Sequence, residues 1–265
     1  MRSRRRHVLK YMTATLVTVL TFSLAASAQT GQPQAKPKAT AAPVPKHDLS
    51  GVWQLQGTGG AESFAPETEM PPMTPWAKAR FDAAKPGYGL RAAPGGNDPI
   101  LQCDPIGIPR VLLMPTPYEF IHAPDRVLQF FEREHEWRPI WTDGRSLPKD
   151  PDPTWYGYAI GHWEGDSTFV VESTGYHDRS WITPTGYPHS EAMHVTERYH
   201  RVDHDTILYD ITVTDPLAYA KPIVGPQRIM KLKPGGEIDE LPCVWSEENA
   251  FTHRIREPAA SNPAK

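Results

Sequence analysis

The chain has 265 residues, 39% of them apolar, and its 28 Lys and Arg stand against 31 Asp and Glu for a net charge of −3. That balance argues against nucleic acid, which wants concentrated positive charge, and it offers no polybasic patch to an anionic membrane surface. The length suits one domain with a full core.

The first residues read as an export signal. Arg2, Arg4, Arg5, Arg6 and Lys10 make a basic start, residues 13–25 are mainly apolar, and Ala26-Ser27-Ala28 gives the small-x-small pattern of a cleavage site. Residues 1–28 are therefore assigned to a signal peptide, and the mature protein is expected in the periplasm or secreted, with no stable membrane insertion. A membrane anchor is disfavoured, because Lys10 and the cleavage site leave fewer than the ~20 apolar residues a span needs. Arg5-Arg6-His7-Val8-Leu9-Lys10 also resembles a twin-arginine signal, so both Sec and twin-arginine machinery stay open as export partners. Cleavage would leave 23 basic against 31 acidic residues, a net charge of −8.

Residues 29–47 are Gln, Pro, Ala, Lys and Thr with almost nothing large and apolar, the composition of a disordered linker. The folded domain is expected over 48–255, with a frayed tail at 256–265. It begins at Asp48-Leu49-Ser50-Gly51-Val52-Trp53-Gln54, whose Gly-x-Trp resembles the start of lipocalin-type barrels, where the Trp plugs the closed end; an ordinary strand with a buried Trp reads equally well. Thr74 to Lys85 is the one helix: Thr74 caps it, Pro75 suits its first turn and Pro86-Gly87 stops it. Strands are then expected at Val111–Met114, Tyr118–His122, Arg126–Arg133, Trp137–Thr142, Tyr156–Trp163 and Ser167–Glu172. Asp143-Gly144-Arg145 reads as a hairpin turn, and so does Glu164-Gly165-Asp166. The clearest alternation is later, where Ile207, Tyr209, Ile211 and Val213 face one way on a half-buried strand. Its partner is Met193–Arg201, and Val224–Leu232 and Leu241–Glu247 complete the series.

Some ten short strands with turn signals, and no helices between them, point to an all-β fold, expected as an antiparallel up-and-down barrel of lipocalin or calycin type with one covering helix and long loops. Cys103 and Cys243 form an even pair, read in an oxidising compartment as a disulfide, with two buried free thiols as the rival.

Chemistry concentrates between Trp155 and Arg201. On the strand after Pro188, Met193, Val195, Glu197 and Tyr199 share the core-directed face. A buried Glu197 needs a partner or a raised pKa, which fits either a structural ion pair with Arg138 or Arg228 or a catalytic carboxylate. His189-Ser190-Glu191 and His177-Asp178 are two imidazole–carboxylate pairs at neighbouring strand ends, suited to acid–base work at neutral pH. Arg145, Arg198 and Arg110 are candidate charge anchors for a ligand. Ten of the 24 aromatic residues that follow position 28 fall in 137–187, and Trp155, Tyr156 and Trp181 are candidate walls for a flat or sugar-like ligand. A divalent metal is the rival use of the imidazoles, since eight of 11 His lie between His122 and His204; no ligand spacing such as H-E-x-x-H supports it, and no cofactor is expected. Nucleophile elbows and phosphate-cradling loops are absent.

Pro109-Arg110, Asp143-Gly144-Arg145, the Gly-x-Trp-Glu-Gly-Asp of 161–166 and Pro188-His189-Ser190-Glu191 together resemble a large family of secreted, mostly uncharacterised bacterial proteins, over roughly Asp48 to Trp245. The resemblance implies an association with lyases acting on lignin-derived aromatics. The expectation is an exported barrel that binds a small aromatic or hydrophobic molecule and transforms it by cofactor-free acid–base chemistry, as a lyase or hydrolase. In that version His189 is the acid or base, Glu191 or Glu197 its partner, and Arg145 or Arg198 the anchor. The rivals are a non-catalytic small-molecule carrier and an envelope interaction protein without a pocket.

Overall fold

A computed structural model describes residues 44–57, 64, 69–87 and 91–258. The signal peptide of 1–28, most of the linker and the last seven residues of the tail lie outside the described residues. Ten strands follow one another: β1 (Gly51–Leu55), β2 (Tyr118–Ala123), β3 (Arg126–Phe131), β4 (Trp137–Trp141), β5 (Tyr158–Glu164), β6 (Thr168–Thr174), β7 (His194–Asp203), β8 (Thr206–Thr214), β9 (Ile223–Val224) and β10 (Arg228–Leu232). Each of β1 to β8 pairs with the next, and β10 pairs with both β8 and β1, so nine strands close into a barrel. The short β9 extends the edge of β8 beyond β10. No helix among the described residues is long and apolar enough to cross a membrane.

The all-β barrel is as expected, but its strands are not all antiparallel. β4 and β5 run parallel through Ile140↔Ala159 and Trp141↔Ile160. A closed ring whose strands alternate in direction needs an even number of them, and nine force one parallel joint. The chain makes that joint with the proline-rich crossover 142–157, since parallel neighbours cannot be joined by a tight turn. Asp143-Gly144-Arg145 is therefore a bend at the start of the crossover and not the hairpin expected of it. The Glu164-Gly165-Asp166 hairpin does form, with Gly165 at φ +62.

Four other segments differ from expectation, one being Val224–Leu232, which is broken at 225–227 into β9 and β10. Residues 110–113 form a buried 3-10 turn, Arg110–Leu113, because Gly107 and Pro109 carbonyls accept from Val111 and Leu112 N–H. A run of four apolar residues between prolines carries no periodicity, so strand and turn look alike in sequence. Leu241–Glu247 is not a strand: only Leu241 bridges to Arg133, and a helix α2 (Trp245–Phe251) follows. The chain stays helical past residue 255, through a π-helical stretch Thr252–Arg256. The expected helix is α1 (Pro75–Ala83), capped by Thr74 Oγ1 accepting from Ala77 N–H at 3.3 Å.

Inside the barrel, alternation works as read. Met193 just before β7, Val195, Glu197 and Tyr199 of β7, and Ile207, Tyr209, Ile211 and Val213 of β8 are all buried. Large rings fill the middle: Phe120 packs edge-on to Tyr199 at 5.2 Å, Tyr199 lies 4.8 Å from Tyr209, and Tyr118 sits against Phe120 and Phe131. One end is closed by Trp53, whose Nε1–H donates to Leu49 O at 2.8 Å, with the Arg201 guanidinium over its ring and bonded to the Asp48 and His204 carbonyls. The last part of the crossover, near Thr154, the β6–β7 loop 175–193 and the β8–β9 loop gather at the other end, through the Thr154↔Tyr176 bridge and the Tyr219 hydroxyl donating to Pro188 O. There α1 is tied down by Thr74 N–H donating to Ala218 O and Ala220 N–H donating to Pro72 O.

Cys103 and Cys243 are joined as a disulfide, with sulfurs 2.01 Å apart and a sequence separation of 140.

Candidate functional site

Between α1 and the β6–β7 loop lies a cleft of about 380 Å3, whose polar wall carries Arg80, Asp104, Asp178 and Arg179 and whose flat wall is Trp181. Local structure explains how these side chains meet. Trp181 bridges to Pro188, and Ile182 N–H donates to Tyr187 O, so the loop doubles back as a narrow ribbon. Alternation along this ribbon puts Arg179, Trp181 and Pro188 on the cleft side and Ser180 and His189 on the inner side. Arg91, stacked on Phe81 at 3.6 Å and bonded to the Phe81 and Thr185 carbonyls, locks α1 to the ribbon's turn.

Both cleft arginines lie on indole faces. Arg80 sits 3.8 Å above Trp76 and reaches Asp178 at 3.5 Å; Arg179 sits 4.4 Å above Trp155, whose edge meets His177 at 5.4 Å. Stacking holds each guanidinium in place while its N–H groups keep a free direction. With two arginines and two aspartates the polar wall is formally neutral, and Asn97 and Gln102 add amide donors and acceptors. Such a surface matches a flat molecule carrying hydroxyls, which donate to carboxylates and accept from guanidinium.

Of the candidates, Asp178 and Trp181 line the cleft, His177 and Trp155 contact one another beside Arg179, and the others are dispersed. His189 is fully buried on the inner side. Its Nε2 is 2.8 Å from Ser180 Oγ and its Nδ1 is 3.2 Å from Ser190 O, a pattern that fits Nδ1–H donating and Nε2 accepting. Burial pushes its pKa below the usual imidazole value, against the opposing pull of Ser190 O and Asp215. Ser190 is itself fixed by Asp215, whose carboxylate accepts from Ser190 N–H at 2.6 Å and Oγ–H at 2.7 Å. Gly107 covers Ser180: a Cβ there would lie 2.7 Å from Ser180 Oγ, so only glycine fits. The Ser180–His189 pair is a fastening between ribbon and core.

Glu197 does not join His189. Its carboxylate, inside the barrel, is held by Arg138 Nη2 at 2.8 and 2.7 Å and by the Tyr199 hydroxyl at 2.5 Å, while Arg138 Nε donates to Gln129 Oε1. The structural ion pair with Arg138 is thus the one formed. Glu191 is exposed in a separate pocket of about 510 Å3 with His194, Asp150 and Asp152. Arg145 is spent on Asp143 and the Tyr158 hydroxyl, over Trp141, and Arg198 on Glu164, both on the outside of the barrel. Arg110 is buried with Asp98 at 2.9 Å. Tyr156 stacks on Phe131 at 5.6 Å, where burial drives its pKa up. Sterically committed groups of this kind are poor ligand anchors. Arg80 and Arg179 are cleft residues that the sequence reading did not single out, although Arg179 stands inside the motif Gly-Tyr-His-Asp-Arg-Ser-Trp and Arg80 one helical turn after Trp76.

Among the described residues there is no group of three or more His, Cys, Asp or Glu placed to hold a metal ion. Compared with family models, curated proteins and solved structures, the chain matches none, so its site is read from its own residues.

Proposed function

We propose that this is an exported binding protein that takes a small, flat, neutral and hydroxyl-bearing molecule, phenolic or sugar-like, in the cleft at the loop-rich end of the barrel. One observation carries the reading: Arg80 and Arg179, each laid on an indole face, line one cleft with Trp181 and with Asp178, which Arg80 reaches at 3.5 Å. The indole supplies stacking area, and the charged groups fix hydroxyl positions without demanding a charged ligand. Export is supported by the N-terminal sequence and by a cysteine pair of the kind that persists in oxidising compartments. At the far end, Trp53 under Arg201 is read as a lipocalin-type plug, which leaves the ligand outside the barrel and the interior as core.

A second reading, acid–base turnover of the ligand, is favoured by the placement of His177 next to Asp178 and against Trp155. It needs no cofactor: the imidazole would take a proton from a ligand hydroxyl or return one to a leaving oxygen.

Isothermal titration with catechol tests the binding reading. Binding should weaken at least tenfold in Arg179→Ala and in Trp181→Ala and stay unchanged in Arg198→Ala. Equal affinity in all four proteins would refute the cleft. Product analysis after incubation decides between the readings: unchanged catechol supports a carrier, and turnover abolished by His177→Gln supports an enzyme.

A further inference from the structure

The C-terminal helix has almost no side-chain anchorage of its own. Neither α2 nor the π-helical stretch after it has a buried residue, and Trp245, Phe251 and Ile255 are 52%, 48% and 53% exposed. The disulfide at Cys243, two residues before the helix, ties it to Cys103, which directly follows the 3-10 turn Pro99–Gln102. Between the helix and the segment that precedes Cys103 lies a second pocket, of about 380 Å3, with Trp245, Asn249 and Thr252 on the helix side.

The opposite wall is apolar and built from small residues, with Gly87, Gly96, Ala92, Ala93, Pro94 and Leu101 along it. Gly87 and Gly96 both pack on the Leu101 side chain, and a Cβ on Gly96 would come within 3.2 Å of Gly87 Cα, so the wall is close-packed there. An apolar wall of small residues facing an indole suits a planar ring that stacks on the indole. Among the described residues the slot's two charged groups are already partnered: Arg256 Nη1 donates to Glu248 at 3.2 Å and to Thr252 at 3.1 Å, and Glu257 Oε2 lies 2.9 Å from His253 Nδ1. That leaves the Asn249 and Gln102 amides as rim groups able to meet a ligand, and they suit an uncharged molecule with one or two polar substituents. An exposed Trp above an open slot is the kind of apolar surface that marks a binding site.

We infer that this slot is a second ligand site, for planar, uncharged, largely apolar rings, and that the Cys103–Cys243 disulfide braces its two walls. It is distinct from the cleft at Trp181: the two share Gln102, at the end of the turn between them, but the slot's indole is a different one. Because the helix buries no side chain, breaking the disulfide frees one wall from the other and removes the slot while the barrel stays closed.

The test uses the full oxidised chain and 1-naphthol, with affinity read by equilibrium dialysis. Trp245→Ala removes the stacking face, and Asn249→Trp fills the slot from an exposed helix without touching the disulfide. Each should weaken naphthol binding at least tenfold, and Trp181→Ala should leave it within twofold of wild type. Dithiothreitol, at a level that leaves the far-UV circular dichroism of the barrel intact, should give the same tenfold loss. Absence of binding to wild type, wild-type affinity in Trp245→Ala and Asn249→Trp, or a loss confined to Trp181→Ala would each overturn the site. Unchanged affinity after reduction would overturn the brace.

Discussion

Arg138 and Glu197 meet in the middle of the barrel, the guanidinium Nη2 donating to both carboxylate oxygens, with neither side chain more than 1% exposed. They come from β4 and β7, which are not neighbours in the sheet, so the pair spans the interior. Removing one member strands the other in a medium that cannot solvate it. Glu197→Gln is therefore expected to cost about 3–5 kcal/mol in urea unfolding, whereas the double change Arg138→Met with Glu197→Leu should be close to neutral or stabilising. A loss in the double variant as large as in the single one would mean that the pair sets the fold and not only its own compensation.

Acid sensitivity should come from buried imidazoles. Burial lowers the pKa of both His189 and His122 in the folded protein. A depressed value means that the unfolded chain binds the proton first, at about pH 6.5. Their stabilising effect is then complete above that pH and is lost as pH falls through the folded value. Unfolding free energy should drop as pH falls below about 6.5, and His189→Gln should flatten part of the slope. A profile unchanged by His189→Gln would show that the imidazole titrates freely.

Glu134 should act with the opposite sign. It sits at φ +65 in the β3–β4 turn, its Oε2 accepts from Ile106 N–H, and burial raises its pKa. A raised carboxyl pKa favours folding at low pH and weakens it as pH climbs through the folded value. Glu134→Gln, which keeps an acceptor for Ile106, should raise stability at pH 7 and change it little at pH 4. Chemical denaturation at the two pH values checks this.

Reduction of Cys103–Cys243 should lower stability by roughly 5 kcal/mol on chain-entropy grounds, because the bond closes a long loop. The effect is read as a shift in urea midpoint with and without dithiothreitol. A shift under about 1 kcal/mol would mean that the unfolded chain holds those ends together without the bond.

Strand positions were legible wherever one face is buried, because period-two alternation reports burial directly; β7 and β8 are the clear cases. The parallel joint was not, since Asp143-Gly144 has the composition of a hairpin turn and only the strand count forces another solution. Residues 110–113 and 241–247 were misread because short apolar runs do not distinguish a strand from a turn or a helix start. Half of the site was legible for a similar reason. His177, Asp178, Trp155 and Trp181 are polar or aromatic residues beside turns, where alternation has stopped and loops converge. His189 has the same local appearance, yet ribbon alternation turns it inward, and that reversal depends on the Trp181↔Pro188 bridge. Arg80 and Arg179 gain their meaning only when α1 is laid against the ribbon, a long-range contact that no local pattern encodes.

The proposed ligand lies outside a filled barrel, and a crystal structure of the protein grown with catechol is the decisive test. The account predicts a ring stacked on Trp181, with its hydroxyls within hydrogen-bond distance of Asp178 and of Arg80 or Arg179. A ring found among Tyr118, Tyr199 and Tyr209 inside the barrel would contradict it.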